Sequence, residues 1–164
     1  MKAARAAMPA SFALFVVAVL TAVLFAYPAT ANATSVMATV NGGSTAIMDH
    51  TSFAQGTTSF GIHATLYADG TARGHINCID QFGSTFPGNI FGEVTGWEGS
   101  LDNPTLHVTG KFVGFPGGHP QDVTFTVTIQ QFGGAGVGHW TLAIGGFTFC
   151  VETLRSGQIV MRRS

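Results

Sequence analysis

The stretch Ser59–Gln81, SFGIHATLYADGTARGHINCIDQ, decides the fold. From Ser59 to Tyr67 the residues alternate. Phe60, Ile62, Ala64 and Leu66 fall on one side, and Ser59, Gly61, His63, Thr65 and Tyr67 on the other. Successive side chains of a strand point to opposite faces, so this is a strand with one buried face. From Thr71 the pattern resumes, with Ala72, Gly74, Ile76 and Cys78 against Arg73, His75, Asn77 and Ile79. Between the strands lies Ala68-Asp69-Gly70, a turn signal. Residues directly opposite in an antiparallel pair share a face. Opposed residue numbers must therefore sum to an even value, which excludes a two-residue Asp69-Gly70 turn. A three-residue loop satisfies parity and needs a left-handed residue at its third position, which Gly70 supplies without steric cost. The spacing predicts Ile62 opposite Ile76, Phe60 opposite Cys78 and His63 opposite His75.

Outward from the hairpin, the same reading continues along the chain. Ser35–Val40 is expected as a short first strand, ending at a turn at Asn41-Gly42-Gly43, with residues 44–57 irregular. Further strands are expected at Asn89–Gly96, Thr105–Phe115, Asp122–Gln131, Val137–Ile144, Phe147–Thr153 and Gln158–Arg162. In Asp122–Gln131, Val123, Phe125, Val127 and Ile129 face inward. No stretch after residue 33 shows a helical period. About eight or nine short strands joined by tight turns favour neighbour-to-neighbour pairing. The expected fold is all-β, an antiparallel meander closing into a small up-and-down barrel, which removes exposed sheet edges. In-strand glycines such as Gly61, Gly74, Gly92, Gly110 and Gly138 permit the bends this needs. A two-sheet β-sandwich is the alternative.

The N-terminus carries an address. Lys2 and Arg5 precede an apolar run from Phe12 to Ala26, followed by Ala31-Asn32-Ala33. A basic region, an apolar core and a small-residue site in this order make a secretory signal peptide over residues 1–33, with cleavage after Ala33. The run is shorter than the ~20 residues a membrane span needs, although an uncleaved anchor is the alternative. Residues 34–164 then form a single domain, secreted or held at the cell surface, with no membrane association after cleavage. Without Lys2 and Arg5, five of the seven Lys and Arg residues remain against eight Asp and Glu. That balance offers no basic patch and argues against nucleic acid or anionic lipid as a partner. Charged residues make up 9% of the chain, against about 25% in ordinary domains. The surface must therefore be coated with Thr, Ser, Asn, Gln and Gly.

Cys78 and Cys150 are the two cysteines. In an exported protein an even pair reads as a disulfide, with two free buried thiols as the alternative. His63, His75, His107 and His139 fall on polar strand faces. The His63–His75 pair could hold zinc or copper, and Asp49, His50, His107 and His139 are open choices for a third ligand. Otherwise these are solvated histidines on outer faces. Glu93 and Glu98 flank Trp97, but their opposite parity directs them to opposite faces of a continuous strand, which argues against a glycosidase pair. Neither a G-x-S-x-G elbow nor a phosphate-binding or dinucleotide fingerprint occurs, and no cofactor is implied. Phe82, Phe86, Phe91, Phe115 and Phe132 lie at expected strand ends and loops. They read either as plugs for the barrel ends or as an aromatic rim for an apolar ligand or another protein.

Several pieces together resemble a group of small exported bacterial β-domains. These pieces are Phe60–Ile76, Glu93–Gly96, Val108–Gly110, Thr124–Ile129 and Gly157–Ile159. The group runs as F-x-hydrophobic-x-A, DG-x-x-x-G-H, V-T-G, T-F-T-V-T and a closing G-x-I strand. Its members occur alone or after choice-of-anchor modules in surface proteins, generally without an assigned function. The resemblance implies export and an all-β domain, and it carries over no catalytic residues. The expected function is that of a secreted, non-enzymatic β-domain that binds a surface protein or assembles at the cell surface. A carrier of small apolar ligands and a metal-dependent enzyme using the strand-face histidines are the alternatives.

Overall fold

The computed structural model describes residues 34–49, 56–80, 88–114 and 117–164. The expected signal segment lies outside these residues, as do His50, Phe82, Phe86 and Phe115. Ten strands and no helix occur among the described residues: β1 Val36–Asp49, β2 Gly56–Tyr67, β3 Thr71–Asp80, β4 Gly88–Ser100, β5 Asn103–Gly114, β6 Gln121–Gln131, β7 Gly133–Gly134, β8 His139–Ile144, β9 Phe147–Leu154 and β10 Gln158–Arg163. The wall runs β2-β3-β4-β5-β6-β8-β9-β1, and β1 pairs back onto β2. All pairings are antiparallel. The sheet is thus a meander closed into an eight-stranded barrel, and the sandwich alternative falls away. β9 and β10 share one edge of β1: β9 covers Ala46–Asp49 and β10 covers Ala38–Gly43.

The β2–β3 hairpin has the expected register. Ile62 faces Ile76, Phe60 faces Cys78 and His63 faces His75. The loop is Ala68-Asp69-Gly70, Gly70 has a φ of 82°, and its N–H donates to Tyr67 O at 3.1 Å. Asp69 organises the turn. Its carboxylate accepts from Thr71 N at 2.9 Å and from Thr71 Oγ1 at 2.6 Å, an Asx-type clasp. These bonds from Thr71 hold its carboxyl below the usual range.

Two sequence readings need correction. β1 does not end at Asn41-Gly42-Gly43. It runs on to Asp49, because both edges of that segment are already claimed: Gly42 pairs with Ile62 on β2 and with Ile159 on β10. Ladder pairing on both sides outweighs the local turn preference. Alternation also breaks inside β4, where the register shifts between Val94 and Gly96. Beyond this bulge the faces exchange, so Trp97 turns inward opposite buried Leu106, and Glu98 joins Glu93 on the outer surface.

Inside the wall the even-numbered positions of the hairpin continue into one core. Trp140, Leu66, Ile76, Leu106, Ile129, Leu142, Leu154 and Ile159 are its largest fully buried apolar side chains. Trp140 packs on Phe60 with ring centroids 5.4 Å apart. At one place two strands approach so closely that no side chain fits. Gly92 and Gly110 face each other, and a Cβ on Gly110 would lie 1.9 Å from Phe91 O and 2.5 Å from Gly92 Cα. One barrel end is closed by Trp97, Leu101 and Phe132, which pack against the core. Trp97 is fixed there by two bonds, its indole N–H to Tyr67 O at 2.8 Å and its backbone N–H to Gly70 O at 2.8 Å.

Candidate functional site

At the end of the barrel away from Trp97, the inward face turns polar. Thr58 of β2 and Glu152 of β9 are both fully buried. The hydroxyl of Thr58 donates to Glu152 Oε2 at 2.7 Å, while Oε1 of the same carboxylate is buried with no hydrogen-bond partner. Burial raises the Glu152 carboxyl from 4.5 to about 7, and the charge of Asp80 adds to the rise. Hydrogen bonds from Thr58 and from the Cys150 thiol oppose it but do not cancel it. A carboxylic acid taken out of water stays protonated because its charged form loses the most solvation. The indole N–H of Trp140 is likewise buried and unpartnered, and Trp140 stands beside Glu152 in the β8–β9 register.

The two cysteines belong to this cluster, but not as a pair. The disulfide expected between Cys78 and Cys150 is absent: both thiols are free and buried. β3 and β9 stand three strand steps apart around the wall. From these two strands the thiols reach the same small cavity without a bond between them. Each thiol has a different neighbour instead. Cys150 bonds to the Glu152 carboxylate and Cys78 lies within hydrogen-bonding reach of Thr58. Burial, and then the charge of Glu152, push both thiols up and away from the reactive thiolate. Thr58, Cys78, Cys150, Glu152 and Asp80 border a small, partly open cavity of about 20 Å³, room for a single water molecule.

The histidines lie on the other side of the wall. Asn41, His63, His75 and Glu93 occupy one row across β1, β2, β3 and β4, each directly opposite the next. The His63 and His75 rings are 5.8 Å apart between centroids, and His63 Nδ1 meets Asn41 Oδ1 at 2.7 Å. His107 stands elsewhere on the outer face, 3.6 Å from Glu98. Among the described residues no group of three or more His, Cys, Asp or Glu is arranged to hold a metal ion. An open depression of about 350 Å³ on the β4–β5–β6 wall is lined by Thr95, His107, Thr109, Thr124 and Thr126, and by Gly145 and Gly146 of the β8–β9 turn.

Of the aromatic candidates, Phe132 packs against the core at the Trp97 end. Phe91 is 42% exposed on the outer wall near the start of β4, toward the opposite end. Those two do not share a rim, and Phe82, Phe86 and Phe115 lie outside the described residues. The sequence reading passed over Glu152 and Thr58. The available signal was parity: Glu152 falls between Cys150 and Leu154 on the inward register, as Thr58 precedes Phe60. Comparison with known proteins found no matching family model, no similar curated protein and no similar solved structure.

Proposed function

We propose that this is an exported, non-enzymatic β-barrel that acts through its outer wall, binding another surface protein or assembling at the cell surface. The observation that carries this reading is the filled interior. A small-molecule site takes roughly 300–1,000 Å³, whereas the cavity among Thr58, Cys78, Cys150 and Glu152 holds about 20 Å³. A carrier of apolar ligands therefore gains no support from the interior. Glu152 is the one strongly perturbed acid there, and it has no exposed surface from which to meet a substrate. The outer wall, in contrast, presents Thr, His and Asn side chains in rows, together with Ile79, Phe91 and the 81% exposed Phe147. Polar, weakly charged surfaces with scattered aromatic side chains suit protein contacts.

The test has two arms. Surface biotinylation of producing cells checks export, and crosslinking followed by light scattering of the purified protein checks assembly. Labelling at the cell surface together with a discrete higher-mass species supports the proposal. A cytoplasmic chain, or a monomer that crosslinks to nothing on intact cells, refutes it.

A further inference from the structure

We propose that His63 and His75 form a two-histidine site for a divalent transition metal of the copper or zinc class on the outer wall of β2 and β3. The two residues are directly opposed in a ladder that runs unbroken from Thr58↔Asp80 to Leu66↔Ala72. Their backbones are therefore fixed before any metal arrives. A first-row ion holds imidazole nitrogen at about 2.0–2.1 Å, and two such rings on one ion stand roughly 5–6 Å apart between centres. The 5.8 Å separation lies in that range. Both side chains are exposed, so an ion reaches them without opening the barrel.

Asn41 supplies the supporting contact. With its amide oxygen as acceptor, His63 Nδ1 carries the proton and Nε2 keeps the lone pair that a metal needs. A metal-bound imidazole normally gives its second nitrogen to such a partner. Glu93 stands next to His75 on β4 and adds negative charge to the row. No third His, Cys, Asp or Glu among the described residues converges with the pair. Water fills the remaining coordination positions, so the site is an exchangeable one and not a structural clamp. Nitrogen donors select against calcium and magnesium, which take oxygen ligands. Among first-row ions, copper(II) should bind tightest. Among the described residues His63 and His75 stand ring beside ring, 5.8 Å between centroids, which sets them apart from His107 and His139.

The test titrates the exported protein with copper(II) and separately with zinc(II), in calorimetry and by electron paramagnetic resonance for copper. One copper ion per chain is expected, with hyperfine splitting from two imidazole nitrogens. His63→Gln and His75→Gln should each weaken binding at least tenfold, and Asn41→Ala should weaken it less. His139→Gln should leave it unchanged, as should excess calcium or magnesium. Far-UV circular dichroism confirms the fold of each variant. Zinc titration of the wild-type protein followed by NMR gives a readout independent of any variant and should shift the His63 and His75 ring resonances together. Binding that survives either glutamine substitution, a one-nitrogen spectrum, or zinc shifts at neither ring would overturn the proposal.

Discussion

Replacing Glu152 by glutamine should flatten the pH dependence of the barrel's stability. The carboxyl titrates at about 7 in the fold against 4.5 when free. Its folded value is raised, so the native state binds the proton more tightly than the unfolded chain does. Below about pH 4.5 both states hold the proton and Glu152 costs nothing. Between 4.5 and 7 the unfolded chain ionises while the barrel does not, and stability falls by about 1.4 kcal/mol per pH unit. Above 7 both are ionised and the loss is complete, at about 3 kcal/mol. That is a large fraction of the 5–15 kcal/mol typical of a domain. With an m-value near 2 kcal/mol/M, the urea midpoint should drop on the order of 1–2 M from pH 4.5 to pH 8.

In Glu152→Gln that drop should be largely absent. The amide oxygen can still accept from Thr58, which donates to Oε2 in the wild type. The new N–H groups add a cost of about 1–3 kcal/mol if they stay unpaired, but this cost does not vary with pH. The slope, not the offset, is therefore the diagnostic. Urea unfolding from pH 4 to 9, followed by the fluorescence of Trp97 and Trp140, measures both. If wild type and Glu152→Gln lose stability in parallel over this range, the titrating group is not Glu152 and the reading of the cluster is wrong.

Other outcomes follow from the packing. Gly110→Ala places a Cβ within 1.9 Å of a backbone oxygen on β4 and should destabilise by about 3 kcal/mol or prevent folding, as thermal melts and soluble yield would show. Trp97→Phe keeps the apolar plug but loses the indole bond to Tyr67 O; a loss of about 1 kcal/mol is expected in urea unfolding. With both thiols free and buried, a thiol reagent should find none in the native protein and two after denaturation, with unchanged electrophoretic mobility on reduction. A bridged pair would give zero in both states.

The hairpin register was legible because two local constraints agreed. Parity excluded the two-residue turn, and Gly70 supplied the left-handed position that the three-residue loop requires. The extent of β1 was not legible, because Asn41-Gly42-Gly43 has turn composition and its partners β2 and β10 come from distant parts of the chain. The bulge after Val94 inverted the faces of Glu93 and Glu98 relative to each other, and a one-residue shift leaves no mark in composition. The cysteine pair shows a related limit. An even count argues about redox compartment, but it does not say whether the fold joins the two sulfurs, and here both thiols stay free. Glu152 escaped notice because a carboxylate is the residue least expected on an inward position.

Closure also restricts how a partner can be held. A common way to recruit an extended chain is to add it to an open sheet edge through backbone hydrogen bonds. Among the described residues β1 through β6, β8 and β9 each pair on both sides over at least part of their length. A second partner is lacking there along Phe147–Cys150 of β9, which pair with β8 but not with β1, and along β10, where β7 covers only Gln158 and Ile159. Beyond those two residues the free side ends in Arg162 and Arg163, and Arg163 donates to Asp102 Oδ1 at 2.5 Å across the β4–β5 turn. Charged residues at such an edge oppose strand addition. Among the described residues, strand addition is thus confined to these short stretches, and the rest of the wall offers a partner side chains instead of backbone. The exposed wall carries hydroxyl, imidazole, amide and a few charged and aromatic side chains, and the His63–His75 pair lies among them.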